Sequence, residues 1–77
     1  MSEQEWLEEF GNNLQALMRE IGINQKELSI RSGLSQADIS RYANCQQVPS
    51  AIAVIKLAYA LDCSTDDLIE FGETIED

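Results

Sequence analysis

Histidine is absent from this 77-residue chain, which holds only two cysteines, one proline and five basic side chains. Because protein zinc sites rely on histidine and cysteine, and the two cysteines lack a metal-ligand spacing, we expect no metal site and no cofactor. Cys45 and Cys63 are too few for a secreted disulfide framework, which favours reduced thiols and a cytoplasmic protein. The acidic N-terminus is unlike a signal peptide, and no apolar run nears the ~20 residues of a membrane span.

Catalytic groups are scarce as well. No nucleophile has a base partner in view, and the sequence contains no glycine-rich phosphate loop, so we expect no enzymatic activity and no small-molecule substrate. Alternating apolar runs and hairpin turns are also missing, which argues against strands. A chain of 77 residues forms one domain with a modest core. We expect this core to span about residues 6–71 and residues 72–77 to be an acidic tail.

Charge is spread unevenly around the formal net charge of −9. Residues 1–20 hold five acidic side chains and one basic one, and residues 62–77 hold seven acidic side chains and no basic one. Residues 21–61 hold four basic and two acidic side chains. The net charge therefore argues weakly against a nucleic-acid partner, whereas the mildly basic middle of the chain permits one.

Helical spacing dominates the first half of the chain. Asn24 has the position of a cap for a second helix with Glu27 three residues on, while Gly22 and Gly33 end the first and second helices. The inward positions of the second helix are Leu28 and Ser32. In the first helix, apolar residues recur at intervals of three and four and so form one apolar stripe: Leu7, Phe10, Leu14, Leu17, Met18 and Ile21.

Serine caps predict the remaining helices. Ser35 begins the third helix, Ser50 the fourth, and Ser64 with Asp67 the fifth, over residues 65–71. Residues 43–49 form a polar loop between the third and fourth helices. Five short helices with short connections make a compact all-α domain. The positions expected to be buried are Ile39, Ala51, Val54, Ile55, Ala58, Leu61, Cys63 and Leu68, with Tyr42 half buried.

Residues 24–49 are the most informative segment. They predict a short helix, a sharp turn at Gly33 and a second short helix whose exposed face carries Gln36, Arg41 and small residues. The major groove of B-DNA admits an α-helix whose side chains can match base edges. The segment is therefore typical of a helix-turn-helix that reads double-stranded DNA.

Short motifs follow one another in a fixed order through residues 10–71: Gln25-x-x-Leu28, Gly33-Leu34-Ser35, Ile39-Ser40-Arg41-Tyr42, Pro49-Ser50 and Leu57-Ala58-x-Ala60-Leu61. As an ordered set they resemble the Cro/cI-type helix-turn-helix family, also called the XRE family. The resemblance implies a lambda-repressor-like five-helix fold. It also implies a repressor-like regulator of transcription from a prokaryote or phage.

The resemblance carries over to individual positions. Glutamine can form two hydrogen bonds to adenine, alanine can touch a thymine methyl group, and arginine suits guanine or a phosphate. The implied base contacts are Gln36, Ala37, Ser40 and Arg41. The implied contacts to the DNA backbone, which position the protein rather than read sequence, are Asn24, Gln25, Ser35, Asn44 and Gln46.

The chain departs from the family pattern in two places. Many members have an arginine at the position of Met18 and a glutamate at that of Ala43, which form a buried ion pair. Losing one partner costs roughly 3–5 kcal/mol, whereas losing both can be neutral, so the paired change predicts a Met18–Ala43 contact. The second departure is Cys45 in place of a glycine, which stores strain if its φ is positive. Gln46 and Gln47 replace basic residues there, which predicts a shallow salt dependence of DNA binding.

Two functions remain open at this point. The first is a sequence-specific DNA-binding regulator that reads the major groove with residues 35–43 as a homodimer, with the dimer contact drawn from Ile52, Ile69 and Phe71. The alternative is a protein-interaction module on the same scaffold, such as an antitoxin, an anti-repressor or an acidic mimic of DNA, because the net charge is −9. Arg41 could also pair with Asp38, three residues earlier on the same helix.

Overall fold

Residues 2–69 are described by the computed structural model, and this part of the chain forms five α-helices and no strand. The helices are α1 (Glu3–Ile21), α2 (Gln25–Ser32), α3 (Gln36–Ala43), α4 (Ala51–Ala60) and α5 (Thr65–Ile69). This arrangement confirms the compact all-α fold. The expected end of the fifth helix at Phe71 and the acidic tail lie outside the described residues.

Local hydrogen bonds begin and end the helices where the sequence predicts. Gly22 and Gly33 follow α1 and α2 in the left-handed region, with φ of 77° and 78°, which a glycine adopts without a Cβ clash. The predicted caps of α2 to α5 each accept the backbone N–H of the residue three positions on, at 2.8–3.3 Å: Asn24, Ser35, Ser50 and Ser64.

The start of α1 was not evident from the apolar stripe. Ser2 caps this helix: its hydroxyl accepts the N–H of Glu5 at 3.2 Å, and the carboxylate of Glu5 accepts the N–H of Ser2 at 2.9 Å. The hydrogen bond from the Ser2 backbone lowers the pKa of Glu5. This reciprocal capping box extends α1 by more than one turn ahead of its first core residue.

The core lies where α1, α2, α3, α4 and α5 meet, and six side chains in it are fully buried: Phe10, Leu14, Leu28, Ile39, Leu57 and Leu68. The rings of Trp6 and Phe10 stack with centroids 5.3 Å apart, and Tyr42 meets Phe10 edge-on at 6.4 Å. Tyr42 is only 4% exposed, so the expectation that it is half buried was wrong. Its place against Phe10 in the α1–α3 contact accounts for this burial.

The predicted core face of α4 was partly wrong. Val54, Ala58 and Leu61 are buried as expected, but Ala51 and Ile55 are exposed. Nine of the ten α4 residues are apolar, AIAVIKLAYA, so periodicity alone does not select the buried face. Packing against α2 and α5 selects it instead, and the buried positions that were not assigned are Ala53, Leu57 and Ala60.

Two smaller expectations also need correction. Ile21, at the end of the α1 stripe, is 44% exposed, because the last turn of α1 extends past the core. Cys63 is half buried rather than buried, since it lies in the short α4–α5 connection at the edge of the core. Burial still raises the pKa of the Cys63 thiol, which disfavours the reactive thiolate.

Two side-chain amides fasten α1 to its neighbours. Asn13 donates to the carbonyl of Leu68 at 2.9 Å and so satisfies the end of α5. Gln15 donates to the carbonyl of Ala43 and satisfies the end of α3 in the same way. Both bonds meet backbone acceptors that a helix leaves open at its C-terminus. The Gln15 bond ties the end of α3, the expected recognition helix, to α1.

Candidate nucleic-acid interface

The turn between α2 and α3 is held by serine side chains. Ser29 donates its hydroxyl proton to the carbonyl of Leu34 at 2.6 Å, and the hydroxyl of Ser32 accepts the N–H of Leu34 at 3.1 Å. Leu28 and Ile39 anchor the two helices in the core with no exposed surface. The turn is therefore rigid, and it sets the direction in which the first turn of α3 points.

The four residues predicted to contact bases all lie on α3, and three of them are exposed. Gln36, Ala37 and Arg41 are exposed, and Ala37 and Arg41 are one helical turn apart. Ser40 is half buried, and its hydroxyl accepts a hydrogen bond from the amide of Asn44 at 3.3 Å. Gln36, Ala37 and Arg41 are thus accessible to a partner, whereas Ser40 is partly engaged within the domain.

Arg41 forms the ion pair that the sequence left open as an alternative. Its guanidinium lies 3.3 Å from the carboxylate of Asp38, and both side chains are well exposed. Exposed pairs of this kind contribute roughly 0–1 kcal/mol, so a base edge or phosphate can displace Asp38 at little cost. The ion pair orients Arg41 without removing it from the accessible face.

The residues predicted to contact the DNA backbone fall into two groups. Asn24 and Ser35 are helix caps whose side-chain oxygens already accept the N–H groups of Glu27 and Asp38. Both residues lie at the amino ends of α2 and α3, where the positive end of the helix dipole favours an anion. The second group comprises Gln25, which is the first residue of α2, and Asn44 and Gln46, which follow the end of α3.

Gln25 and Asn44 line one cleft of about 320 Å³ between the end of α1, the start of α2 and the end of α3. Met18 and Ala43 line its apolar side, and both belong to the buried core. This shared cleft supports the proposed Met18–Ala43 contact. Arg19 lines the cleft too. The sequence did not predict this residue as a contact, because only the tertiary arrangement of α1 places it in the cleft.

The loop after α3 keeps a glycine-like turn without a glycine. Cys45 has a φ of 61°, so the condition under which the sequence predicts stored strain at this position is met, and its N–H donates to the carbonyl of Tyr42 at 3.2 Å. The N–H of Gln46 donates to the carbonyl of Arg41 at 2.8 Å, and the Gln46 side chain remains exposed. The loop thus presents Gln46 beside the end of α3.

Comparison with known proteins agrees with this geometry. The family model of the Cro/C1-type HTH DNA-binding domain matches residues 13–73. The chain is 37% identical over 59 residues to the uncharacterized HTH-type transcriptional regulator y4dJ of Sinorhizobium fredii, which covers 77% of each protein. It is also similar to the crystal structure of the restriction-modification controller protein C.AhdI from Aeromonas hydrophila. That match has 32% identity and a TM-score of 0.78, over 80% of this chain and 94% of the other. Within residues 2–69, no helix has the length and apolarity to cross a bilayer.

Proposed function

Since the chain belongs to the Cro/C1-type HTH DNA-binding family and is an HTH-type transcriptional regulator, we propose that it inserts α3 into the major groove of double-stranded DNA and acts as a repressor. The observation that carries this proposal is the joint exposure of Gln36, Ala37 and Arg41 on one rigidly held helix face. Rigid placement matters because base contacts depend on the direction of each donor and acceptor.

In this proposal the first two turns of α3 read the sequence. Gln36 forms two hydrogen bonds to an adenine, Ala37 packs against a thymine methyl group, and Arg41 leaves Asp38 for a guanine or a phosphate. Ser40 adds a weaker contact, because its hydroxyl is shared with Asn44. The DNA backbone is held by the side chains and N–H groups around α2 and α3, namely Asn24, Gln25, Ser35, Asn44 and Gln46.

We also propose that the regulator is a homodimer on a near-palindromic site, with half-sites about one helical turn apart. An exposed apolar stripe on α4 supports this: Ile52, Ile55 and Tyr59 are 65%, 59% and 87% exposed. Their spacing of three and four residues puts them on one helix face. Ile69, 38% exposed on α5, extends the candidate contact, whereas Phe71 lies outside the described residues. A cytoplasmic location is part of the same proposal, because the partner is DNA.

Selection of bound duplexes from a random library tests the base-reading role. The protein should enrich one near-palindromic sequence, and Gln36→Ala should relax preference at one position per half-site at a cost of about 1–3 kcal/mol. Gln4→Ala, the same change on the first turn of α1, is the matched control and should leave the selected site unchanged. If no sequence is enriched at any protein concentration, the protein-interaction alternative replaces this proposal.

A further inference from the structure

We propose that Arg19 supplies the cation for a DNA phosphate seated in the cleft between Gln25 and Asn44, an inference that rests on the proposed DNA-binding function. Arg19 lies in the last turn of α1, outside the helix-turn-helix, and its side chain lines the cleft that these two amides also line. The proposal adds α1 to the elements that contact DNA.

The charges around the cleft support an anion there. Among the described residues that line the cleft, Arg19 alone carries a charge, and the others have amide or apolar side chains. In the described part of the chain, Arg31 and Arg41 lie 3.2 Å and 3.3 Å from the carboxylates of Glu27 and Asp38. Across the same residues 2–69, Arg19 has no such ion pair, so its guanidinium remains available to an external phosphate.

The groups that lie beside Arg19 in the cleft can donate hydrogen bonds to a phosphate. Gln25 is the first residue of α2, so the amino end of that helix, which favours negative charge, opens onto the cleft. Asn44 caps α3 from the opposite side and has an exposed side chain. A phosphate between them would meet two neutral amide donors and one guanidinium, and a guanidinium can bind two phosphate oxygens at once.

Within residues 2–69, the residues that line the cleft around Arg19 leave its positive charge without a counter-charge. Met18 and Ala43 line the cleft as apolar groups, and the amide of Gln15 is committed to the carbonyl of Ala43. Among the described residues that line the cleft, none offers Arg19 a carboxylate. In a chain of formal charge −9, one cation at the DNA surface is a large part of the attraction to the backbone.

The test measures the dissociation constant of the full chain for its selected duplex between 50 and 200 mM salt. Arg19→Gln should lower the slope of log K against log salt by about 0.9 for each phosphate lost, or about twofold that amount for a dimer. It should weaken binding to an unrelated duplex by the same factor, because phosphate contacts carry no sequence information. Arg19→Lys should keep the slope. Arg31→Gln removes the same charge from the last turn of α2, the end of that helix opposite to Gln25 and the cleft, and should leave the slope unchanged.

Circular dichroism melts show whether each variant is folded, and Arg19→Met, which keeps the aliphatic stem, replaces the glutamine variant if that one is not. A folded Arg19→Gln or Arg19→Met protein with the slope of the unsubstituted protein would overturn the role of Arg19 and leave the DNA-binding proposal standing. Failure of the unsubstituted protein to bind any duplex would overturn both.

Discussion

Cys45, in the loop after α3, packs so closely against Gly11 of α1 that neither position can be changed independently of the other. Cys45 has a φ of 61°, a conformation that costs a residue with a Cβ about 1–2 kcal/mol. Its sulfur lies 3.8 Å from the carbonyl of Glu8, and Gly11 is buried below it. A Cβ on Gly11 would lie 2.5 Å from that sulfur and 3.0 Å from the carbonyl oxygen of Tyr42. The close approach of α3 to α1 therefore needs a glycine on α1.

A double-mutant cycle measures this dependence. Gly11→Ala should destabilise the domain by about 1–3 kcal/mol, because the new methyl group overpacks the contact. In a Cys45→Gly background the same change should cost less but remain unfavourable, since the backbone oxygens of Tyr42 and Ala43 stay 3.0 Å and 3.2 Å from the new Cβ. Urea unfolding of the four proteins gives the coupling energy. Strictly additive effects would mean that the Cys45 sulfur does not constrain position 11.

At the scale of the helices, the contact between α1 and α3 is built without the ion pair that many family members have. Met18 and Ala43 are both buried, and the amide of Gln15 donates to the carbonyl of Ala43. An apolar pair and one amide hydrogen bond avoid the desolvation cost of two buried charges. The direction of α3 is thereby kept, as its proposed insertion into the major groove requires.

Restoring the charges tests this account of the α1–α3 contact. Met18→Arg alone and Ala43→Glu alone should each destabilise the domain by about 3–5 kcal/mol, because each leaves one unpaired charge near the core. The double variant should recover most of that loss if the two side chains meet. Thermal and urea unfolding of the three variants provide the comparison. A double variant as unstable as the sum of its parts would show that positions 18 and 43 are not in contact.

What could be predicted from the sequence differs from element to element for physical reasons. Caps such as Asn24 and Ser64 depend on a side chain and an N–H three residues away, so the local sequence is sufficient. The buried face of α4 depends on which helices pack against it, and an almost wholly apolar helix gives no periodic signal. The cleft with Arg19 depends on three helices at once, so the family pattern indicated Gln25 and Asn44 but not their basic neighbour.

At the scale of the whole molecule, the acidic side chains are unevenly distributed along the chain, and the exposed apolar stripe lies on a different helix from the predicted DNA contacts. The helix-turn-helix lies in the mildly basic middle of the chain, while residues 1–20 and 62–77 hold twelve of the fourteen acidic side chains. The exposed apolar stripe of Ile52, Ile55 and Tyr59 lies on α4, an element that contributes none of the predicted DNA contacts. A second subunit on this stripe would double the basic surface offered to DNA, and within residues 2–69 the helix that carries the stripe makes no contact with α3.

Ile55→Glu should therefore separate dimerisation from base reading. A charge in the middle of the stripe has to be desolvated in a dimer, so the variant should be monomeric by light scattering at concentrations where the unsubstituted protein is dimeric. Its affinity for a full palindrome should fall towards that for a single half-site, while the preferred half-site sequence stays the same. Ile30→Glu makes the same change at a 74% exposed position on α2 and should leave the oligomeric state intact. If Ile55→Glu remains dimeric, the two subunits meet on another surface, and the spacing of the two α3 helices has to be derived from that surface instead.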